Sequence, residues 1–310
     1  MSSGARPGSH GSAGRQPMSL PRLAEMRREG EPIVMVTAYD YPSALAVEEA
    51  GVDVVLVGDS AAMTVLGHDS TVPVGIEEML MLAKAVRRGL RTPLLVGDMP
   101  FGSYERSNEH AIENAQRFVK EAGCDAVKLE RGGASVDRAR AIVRAGIPVM
   151  GHVGLTPQTA TALGGYKAQG RTASRAIEIA EEALALQSVG CFSLVFEAVP
   201  AAISEALMEK LEVPVIGIGA GGATDGQVLV FHDLLGIHQG HVARFVKRYA
   251  EVHEAMVEGV RAYAAEVRGR SFPGPEHIYG VEPAELAEFR AYLDQESMAG
   301  EKWDWSATEI

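Results

Sequence analysis

Eight short runs of apolar residues, rich in Val, Ile and Leu, recur along the chain. Their apolar positions are continuous rather than alternating, which predicts strands that are buried on both faces, as in a parallel sheet. The runs begin at Pro32, Val52, Pro93, Asp125, Pro148, Cys191, Pro214 and Gly226. The pattern therefore predicts eight buried strands.

Helix-like segments lie between most of these runs. Segment 76–90 has acidic residues in its first turn, basic residues in its last turn and a glycine near its end, which match the helix dipole and the glycine stop signal. Segments 108–123 and 173–190 repeat this pattern. The phrases EEAGVDVV, KEAGCDAV, VRAGIPVM and QSVGCFSL share one order of helix, glycine and new strand. We interpret this as a strand–helix unit repeated about eight times.

Eight such units are typical of an α/β fold, the (β/α)8 TIM barrel of roughly 250 residues, whose active sites lie at the carboxyl ends of the strands. A doubly wound open sheet is the alternative. We predict the barrel over residues 21–277 and a partly helical acidic extension over 278–310. The first 20 residues are rich in Gly, Ser and Arg, which predicts a disordered extension.

Charge and cysteine content narrow the class of partner. The chain has 310 residues and a formal net charge of −12, and an acidic protein repels nucleic acid and anionic membranes. No apolar run reaches the roughly 18 residues of a spanning helix. Two isolated cysteines, Cys124 and Cys191, predict reduced buried thiols in a cytoplasmic protein rather than a disulfide or a zinc site.

Polar residues follow the apolar runs at positions that would face the mouth of a barrel. These residues are Asp40, Asp59, Asp98, Glu130, His152 and Glu197. Asp59, Asp98 and Glu130 end successive strands, so their carboxylates would converge. Converging carboxylates repel one another unless a cation neutralises them, and hard oxygen ligands suit Mg²⁺. The spacing favours a magnesium site.

Each carboxylate also has a simpler interpretation. An aspartate at a strand end commonly caps the next helix or a turn, and this interpretation applies to Asp59 and Asp98 as an alternative to metal binding. Lys128 and Glu130 are two residues apart and face one side of a strand, so a buried ion pair between them is the alternative.

His152 and Glu197 also have two possible interpretations each. His152 is either a core histidine or a hydrogen-bond donor and proton shuttle. Glu197 is either a cap for a helix beginning near Pro200 or a general base in an apolar pocket.

Two glycine-rich segments carry weaker signals. The sequence GIGAGG at residues 217–222 formally fits a dinucleotide-binding motif, but its late place in the chain favours a tight turn. The segment GGYKAQGR at residues 164–171 lacks the ending of a phosphate-binding loop, and we interpret it as a mobile loop over the barrel mouth.

Nine motifs occur in a characteristic order. They are TAYDYPSA, LVGDSAAMTVLGHDSTVPV, GDMPFGSY, AVKLE, GHVGLTPQ, LGGYKAQGR, FEAVP, PVIGIGAG and TDGQVLVFHD. Together, over residues 21–277, they closely resemble the ketopantoate hydroxymethyltransferase family. The resemblance implies a (β/α)8 barrel assembled as a decamer, with one Mg²⁺ per subunit. It also implies transfer of a one-carbon unit from 5,10-methylenetetrahydrofolate to 3-methyl-2-oxobutanoate, in pantothenate biosynthesis.

The resemblance assigns roles residue by residue. The implied metal ligands are Asp59, Asp98 and Glu130. The implied substrate-binding residues are Asp59, Ser60, Asp98, Lys128 and His152. Glu197, in the motif FEAVP, is the implied catalytic base.

The sequence departs from the family pattern at a few points. Arg131 follows AVKLE where the family commonly has Gly, and Ala61 and Ala62 stand where many members have Leu-Gly.

Two other classes of protein remain as alternatives. A Mg²⁺-dependent lyase of the phosphoenolpyruvate mutase and isocitrate lyase type would need a nucleophilic cysteine motif, which is not evident. A metabolite-binding pseudo-enzyme would lack a ligand or a base, and none is missing.

Overall fold

A computed structural model describes residues 14–130, 134–165, 167–240 and 242–295. Arg131, most of the predicted disordered start and residues 296–310 of the predicted C-terminal extension lie outside this part of the chain. The chain divides into two compact units, residues 1–253 and 254–310. The domain limits predicted at residues 20 and 277 stay predictions.

The first unit contains a closed barrel of eight parallel strands in sequence order. The strands are β1 (Ile33–Thr37), β2 (Val54–Val57), β3 (Leu94–Asp98), β4 (Ala126–Glu130), β5 (Val149–Gly154), β6 (Ser193–Glu197), β7 (Val215–Ile218) and β8 (Gly226–Leu229). Strand β8 pairs with β1, which closes the sheet and excludes the doubly wound alternative. The prediction of a (β/α)8 barrel is confirmed, and all eight apolar runs form strands.

Helices fill most connections between the strands. They are α1 (Leu20–Glu29), α2 (Tyr41–Ala50), α3 (Ala61–Thr64), α4 (Ile76–Gly89), α5 (Asn108–Ala122), α6 (Ser135–Arg144), α7 (Ala173–Ser188), α8 (Ala201–Met208) and α9 (Phe231–Leu234). The three segments predicted to be helical form α4, α5 and α7. Gly123 shows why glycine ends these helices, since it adopts a left-handed φ of 68° and turns the chain towards β4.

The connection between β7 and β8 departs from the predicted repeat. Residues 219–225 join the two parallel strands without a helix, although such crossovers usually contain one. The sequence GIGAGG begins in β7 and runs into this connection, as the prediction of a turn requires. Helices therefore lie between most of the strands, as the sequence pattern predicted, and this connection is an exception.

Two apolar clusters surround the barrel wall. The inner cluster consists of inward-facing strand residues such as Met35, Val96 and Met150, together with Leu23 and Met26 of α1. The outer cluster packs the opposite faces of the strands against the helices. Both faces of β2 to β5 are buried, which explains their continuous apolar sequences, whereas Val34 of β1 and Gln227 of β8 are exposed. Helix α1 thus adds apolar side chains to the inner cluster. The charged side chains lie at the carboxyl ends of the strands instead.

The second unit contains most of α10 (Val252–Arg268) and all of α11 (Pro283–Gln295). Within it, the rings of Tyr263 and Phe272 lie 5.5 Å apart, and Phe272 also contacts His277. Helix α10 has no buried residue.

The structure also bears on the predictions made for the two cysteines and for membrane-spanning segments. Cys124 and Cys191 are buried and unpaired, and burial raises the pKa of both thiols to about 12. No helix in the described ranges is long and apolar enough to cross a membrane.

Candidate active site

Charged side chains at the carboxyl ends of β2 to β6 form one buried cluster. Its members are Asp59, Asp98, Lys128, Glu130, His152 and Glu197. Strand register explains the convergence, because Asp98 lies opposite Lys128 in the β3–β4 pair and Glu130 lies opposite His152 in the β4–β5 pair. All members are 4% exposed or less except Glu197, whose side chain is 14% exposed. The fold therefore brings together the six charged residues predicted for the site.

Lys128 lies within ion-pair distance of two carboxylates. Its Nζ donates a hydrogen bond to Oδ1 of Asp98 at 2.6 Å and lies 4.0 Å from Oε1 of Glu130. The alternative of a buried Lys–Glu pair is thus only part of the arrangement, since Asp98 is the closer partner. The backbone N–H of Asp59 donates to the second oxygen of Asp98 at 3.1 Å.

Burial and mutual repulsion shift the pKa values of these groups. Burial, reinforced by the charges of Asp98 and Glu130, raises the pKa of the Asp59 carboxyl well above its ordinary value. Burial also raises the pKa of Asp98, although Lys128 opposes the shift. Burial disfavours the charged form of Lys128, but the facing carboxylates outweigh it and raise the pKa of the ammonium group. Lys128 is therefore a fixed positive charge in the cluster.

His152 lies between two carboxylates of the cluster. Its Nδ1 is 3.4 Å from Oε1 of Glu130 and its Nε2 is 3.2 Å from Oε2 of Glu197. Burial and Lys128 lower the pKa of the ring, but the two glutamates outweigh them and raise it to about 9. His152 is thus buried with a carboxylate beside each ring nitrogen, and its role as a core histidine or as a proton shuttle stays a prediction.

Ser60 follows Asp59 at the start of α3 and contacts a buried tyrosine. The hydroxyl groups of Ser60 and Tyr39 are 2.8 Å apart. Burial raises the pKa of Tyr39 to about 12, so its phenol stays protonated at neutral pH. Tyr39 thereby orients the Ser60 hydroxyl at the edge of the charged cluster.

Sequence reasoning missed Gln158, which lies in a single 3₁₀ turn (Pro157–Thr159) after β5. Its side-chain Nε2 donates to Oδ2 of Asp59 at 2.9 Å, and its backbone N–H donates to Oε2 of Glu130 at 3.0 Å. The hydroxyl of Tyr104 donates to Gln158 Oε1 at 2.5 Å. The one available signal was the place of Gln158 at the end of the motif GHVGLTPQ.

The structure decides the cap interpretations of Asp59 and Glu197, and it shows a further cap at Asp40. Asp40 is exposed and caps α2, since its Oδ1 accepts a hydrogen bond from the backbone N–H of Ser43 at 2.7 Å. Because Asp40 is exposed and its side chain binds the start of α2, it is not a member of the buried charged cluster. Asp59 and Glu197 do not cap, as the cap positions of α3 and α8 are Ser60 and Pro200.

The glycine-rich segment 164–171 lies partly beside the cluster. The backbone N–H of Gln169 donates to the carbonyl oxygen of Ala198, directly after Glu197, at 2.9 Å. Tyr166, in the middle of the segment, lies outside the described residues. The predicted mobility of this segment stays a prediction.

Gly154 holds the backbone that carries Glu197. It pairs with Glu197 across β5 and β6, has a left-handed φ of 94°, and a Cβ at this position would clash with the Glu197 carbonyl oxygen.

We expect Gly154→Ala to displace Glu197 and to lower activity by about 10²-fold, the typical effect of a displacement of about 1 Å. Steady-state kinetics and urea unfolding measure the two effects.

Gly146→Ala is the matched control for this variant. Gly146 also has a left-handed φ, of 87°, but a Cβ there would meet no described atom within 4 Å. It should share the cost of backbone strain, about 1–3 kcal/mol, without the loss of activity. Equal activities of the two variants would contradict the assigned role of the Gly154 contact.

The donor chemistry of the cluster fits Mg²⁺. Four carboxyl groups face two cationic groups, Lys128 and protonated His152, and burial together with repulsion among the carboxylates raises the pKa of Asp59. Oxygen donors of this kind are preferred ligands of Mg²⁺. In the part of the chain described, no three His, Cys, Asp or Glu side chains are already arranged to hold a metal. Lys128 instead lies within reach of Asp98 and Glu130 and neutralises part of their charge.

A closed barrel with a buried charged cluster at the carboxyl ends of its strands defines the class of (β/α)8-barrel enzymes. The sequence profile of the family described as Ketopantoate hydroxymethyltransferase matches residues 17–275. The chain belongs to the ketopantoate hydroxymethyltransferase family, as the resemblance of its motifs implied. The members of this family are enzymes.

Curated relatives agree over most of the chain. A protein of Moorella thermoacetica named 3-methyl-2-oxobutanoate hydroxymethyltransferase is 52% identical and aligns with 86% of this chain and 99% of its own. One of the same name from Heliobacterium modesticaldum is 51% identical over 86% and 96% of the two chains. A relative from Arabidopsis thaliana, named 3-methyl-2-oxobutanoate hydroxymethyltransferase 1, mitochondrial, is 50% identical and aligns with 90% of this chain and 83% of its own.

Solved structures support the fold alone. The chain is similar to 2,3-dimethylmalate lyase of the PEP mutase/isocitrate lyase superfamily, with a TM-score of 0.55 and 16% identity over 90% and 97% of the two chains. It is also similar to phosphonopyruvate hydrolase in complex with oxalate and Mg²⁺, with a TM-score of 0.55 and 12% identity over 89% and 96%. At this level of identity a shared barrel does not establish a shared reaction.

Proposed function

We propose that the protein transfers a one-carbon unit from 5,10-methylenetetrahydrofolate to 3-methyl-2-oxobutanoate, giving 2-dehydropantoate and tetrahydrofolate. The observation that carries the proposal is about 50% identity, over most of the chain, to relatives named for this keto acid and this transfer. The buried charged cluster supplies the chemistry that such a transfer needs. The product would enter pantothenate biosynthesis.

Asp59, Asp98 and Glu130 are the residues that would hold one Mg²⁺ per subunit. Their oxygens come from the ends of β2, β3 and β4, and burial raises the pKa values of the two aspartates, which a bound cation would reverse. When bound, Mg²⁺ polarises the keto oxygen and stabilises negative charge that develops on it.

The residues around the proposed metal position would also bind the substrate. Ser60, oriented by Tyr39, is placed to donate a hydrogen bond to the keto acid. Lys128 supplies a buried positive charge where negative charge forms on the substrate. Asp59 and Asp98 line the substrate position as well as the metal position.

Glu197 is the proposed base. A carbon acid beside a ketone loses its proton readily only when the resulting enolate is stabilised, so the base acts together with the surrounding positive charge. Glu197 removes the C3 proton of the keto acid and holds it on its carboxyl. His152, with Nε2 3.2 Å from Oε2 of Glu197, places a positive charge beside this carboxylate.

The enolate carbon then forms a bond with the methylene carbon of the folate co-substrate. The electron pair of the enolate makes this C–C bond, while the bond from that carbon to one of its two folate nitrogens breaks. Water then replaces the second folate nitrogen on the same carbon and supplies the hydroxyl group of the product. The two folate nitrogens receive the proton held by Glu197 and one proton from this water. This part of the proposal rests on the family resemblance.

A lyase of the PEP mutase/isocitrate lyase type is the second candidate. The observation that favours it is the fold shared with members of that superfamily, at 12–16% identity. The family match and the identity to hydroxymethyltransferases are far stronger, and they favour transfer over cleavage.

We also propose a cytoplasmic homodecamer. Two buried free thiols support a reducing compartment. Exposed apolar side chains on α10, among them Met256, Val260 and Tyr263, support assembly with other copies. Analytical ultracentrifugation of the purified protein measures the assembly directly.

Proton NMR in D₂O tests the activity. The purified protein is mixed with 3-methyl-2-oxobutanoate, with and without Mg²⁺, and methylenetetrahydrofolate is added afterwards. We expect metal-dependent loss of the C3 proton signal, followed by signals of 2-dehydropantoate. Absence of both exchange and product would overturn the proposal, while cleavage of a C–C bond in related acids would favour the lyase.

A further inference from the structure

We propose that Gln158 is a positioning residue that holds Asp59 and Glu130 in the orientation that binds a divalent cation. Tyr104 holds Gln158 in turn. The inference rests on the proposed metal-dependent function. It adds two residues, from outside the strand ends, to those that the site requires.

Gln158 contacts two carboxylates that belong to different strands. Its Nε2 donates to Oδ2 of Asp59, beyond β2, and its backbone N–H donates to Oε2 of Glu130, at the end of β4. Gln158 itself follows β5 and is 5% exposed. One residue thus links the ends of β2, β4 and β5 at the place where the charged side chains meet.

The orientation of the Gln158 amide is determined by its other two partners. Its Nε2 also donates to the carbonyl oxygen of Met99 at 3.0 Å, and a carbonyl oxygen can only accept. Its Oε1 accepts from the Tyr104 hydroxyl at 2.5 Å, and Tyr104 is 3% exposed. Because the NH₂ group must face Met99 and Asp59, the amide cannot turn over without losing these two hydrogen bonds.

These hydrogen bonds fix the rotation of both carboxylates by binding one oxygen of each, Oδ2 of Asp59 and Oε2 of Glu130. The other oxygen of Glu130, Oε1, lies 3.4 Å from Nδ1 of His152 and 4.0 Å from Nζ of Lys128, so a cation at this oxygen would compete with these two positive charges. Without these donors the buried carboxylates would repel one another and rotate apart. Partners of this kind typically change metal affinity by about 10–100-fold when they are removed.

Mn²⁺ binding to the full-length protein, without substrate, tests the inference. Electron paramagnetic resonance measures free Mn²⁺ in a titration of wild-type protein, Gln158→Leu and Tyr104→Phe. We expect about 10–100-fold weaker Mn²⁺ binding for Gln158→Leu. Tyr104→Phe removes one neutral hydrogen bond and should weaken binding about 2–10-fold.

Gln187→Leu is the matched control. The Oε1 of Gln187 accepts from the backbone N–H groups of Glu212 and Val213, at 2.7 and 3.3 Å, before β7 and away from the charged cluster. This variant should lower the melting temperature measured in EDTA and leave Mn²⁺ affinity unchanged. The contrast separates positioning of the ligands from a general loss of stability.

The outcomes distinguish this inference from the proposed function. If wild-type protein and Gln158→Leu bind Mn²⁺ equally well, the positioning role is wrong and the function stands. If wild-type protein binds no Mn²⁺ and exchanges no C3 proton, the function fails and the inference fails with it. If Gln158→Leu does not fold, an unchanged Mn²⁺ affinity of Tyr104→Phe overturns the inference.

Discussion

Glu197→Gln loses exchange of the C3 proton of 3-methyl-2-oxobutanoate in D₂O, with a rate about 10²–10⁴-fold below that of the wild type. The amide has nearly the shape of the carboxylate but cannot accept a proton at neutral pH. Asp59, Asp98 and Glu130 are unaltered, so Mg²⁺ binding should persist. Proton NMR measures the exchange, and isothermal titration calorimetry measures the Mg²⁺ binding.

Glu205→Gln provides the control for this result. Glu205 is exposed on α8, the helix that follows β6, and the substitution makes the same chemical change. We expect exchange at the wild-type rate. Wild-type exchange in Glu197→Gln as well would assign the base to another residue.

Lys128→Met lowers the free energy of unfolding by about 3–5 kcal/mol when no divalent cation is present. Methionine fills much of the same volume, but Asp98 and Glu130 then lose the ammonium group that lies 2.6 and 4.0 Å from their oxygens. Buried carboxylates without a cation are costly. Urea unfolding in EDTA, followed by circular dichroism, measures the change.

Mg²⁺ and a surface lysine supply the controls for Lys128→Met. Added Mg²⁺ should restore part of the stability, because it binds the folded state and neutralises the same carboxylates. Lys84 pairs with Glu121 at 2.9 Å, but both side chains are more than one third exposed. Lys84→Met should therefore cost about 1 kcal/mol or less. Equal losses for the two variants would contradict the assigned burial of charge at Lys128.

The strands and the charged residues of the site were predictable from sequence for a definite reason. A strand buried on both faces must be apolar throughout, so runs such as those at Val52 and Pro93 stand out. The residue after each run then lies at the carboxyl end of a parallel strand. Asp59 and Asp98 were identified in this way, and the motifs of the family assigned them roles.

Contacts made by residues far apart in sequence were not predictable. Tyr104 and Gln158 are 54 positions apart, and Gln158 and Asp59 are 99 positions apart. No local pattern indicates that a glutamine in a 3₁₀ turn contacts an aspartate beyond another strand. The cap formed by Asp40 was missed because strand ends and helix starts coincide in this fold.

The amino-acid sequence by itself determined the eight strands, most helices and the order of the charged residues, because hydrophobic burial and helix signals act over a few neighbouring residues. Only the tertiary structure decided which partner each charge has, that the β7–β8 connection lacks a helix, and that Gln158 joins the cluster. Burial and the distance between charges set the pKa values of Asp59 and His152, and both depend on side chains from separate strands.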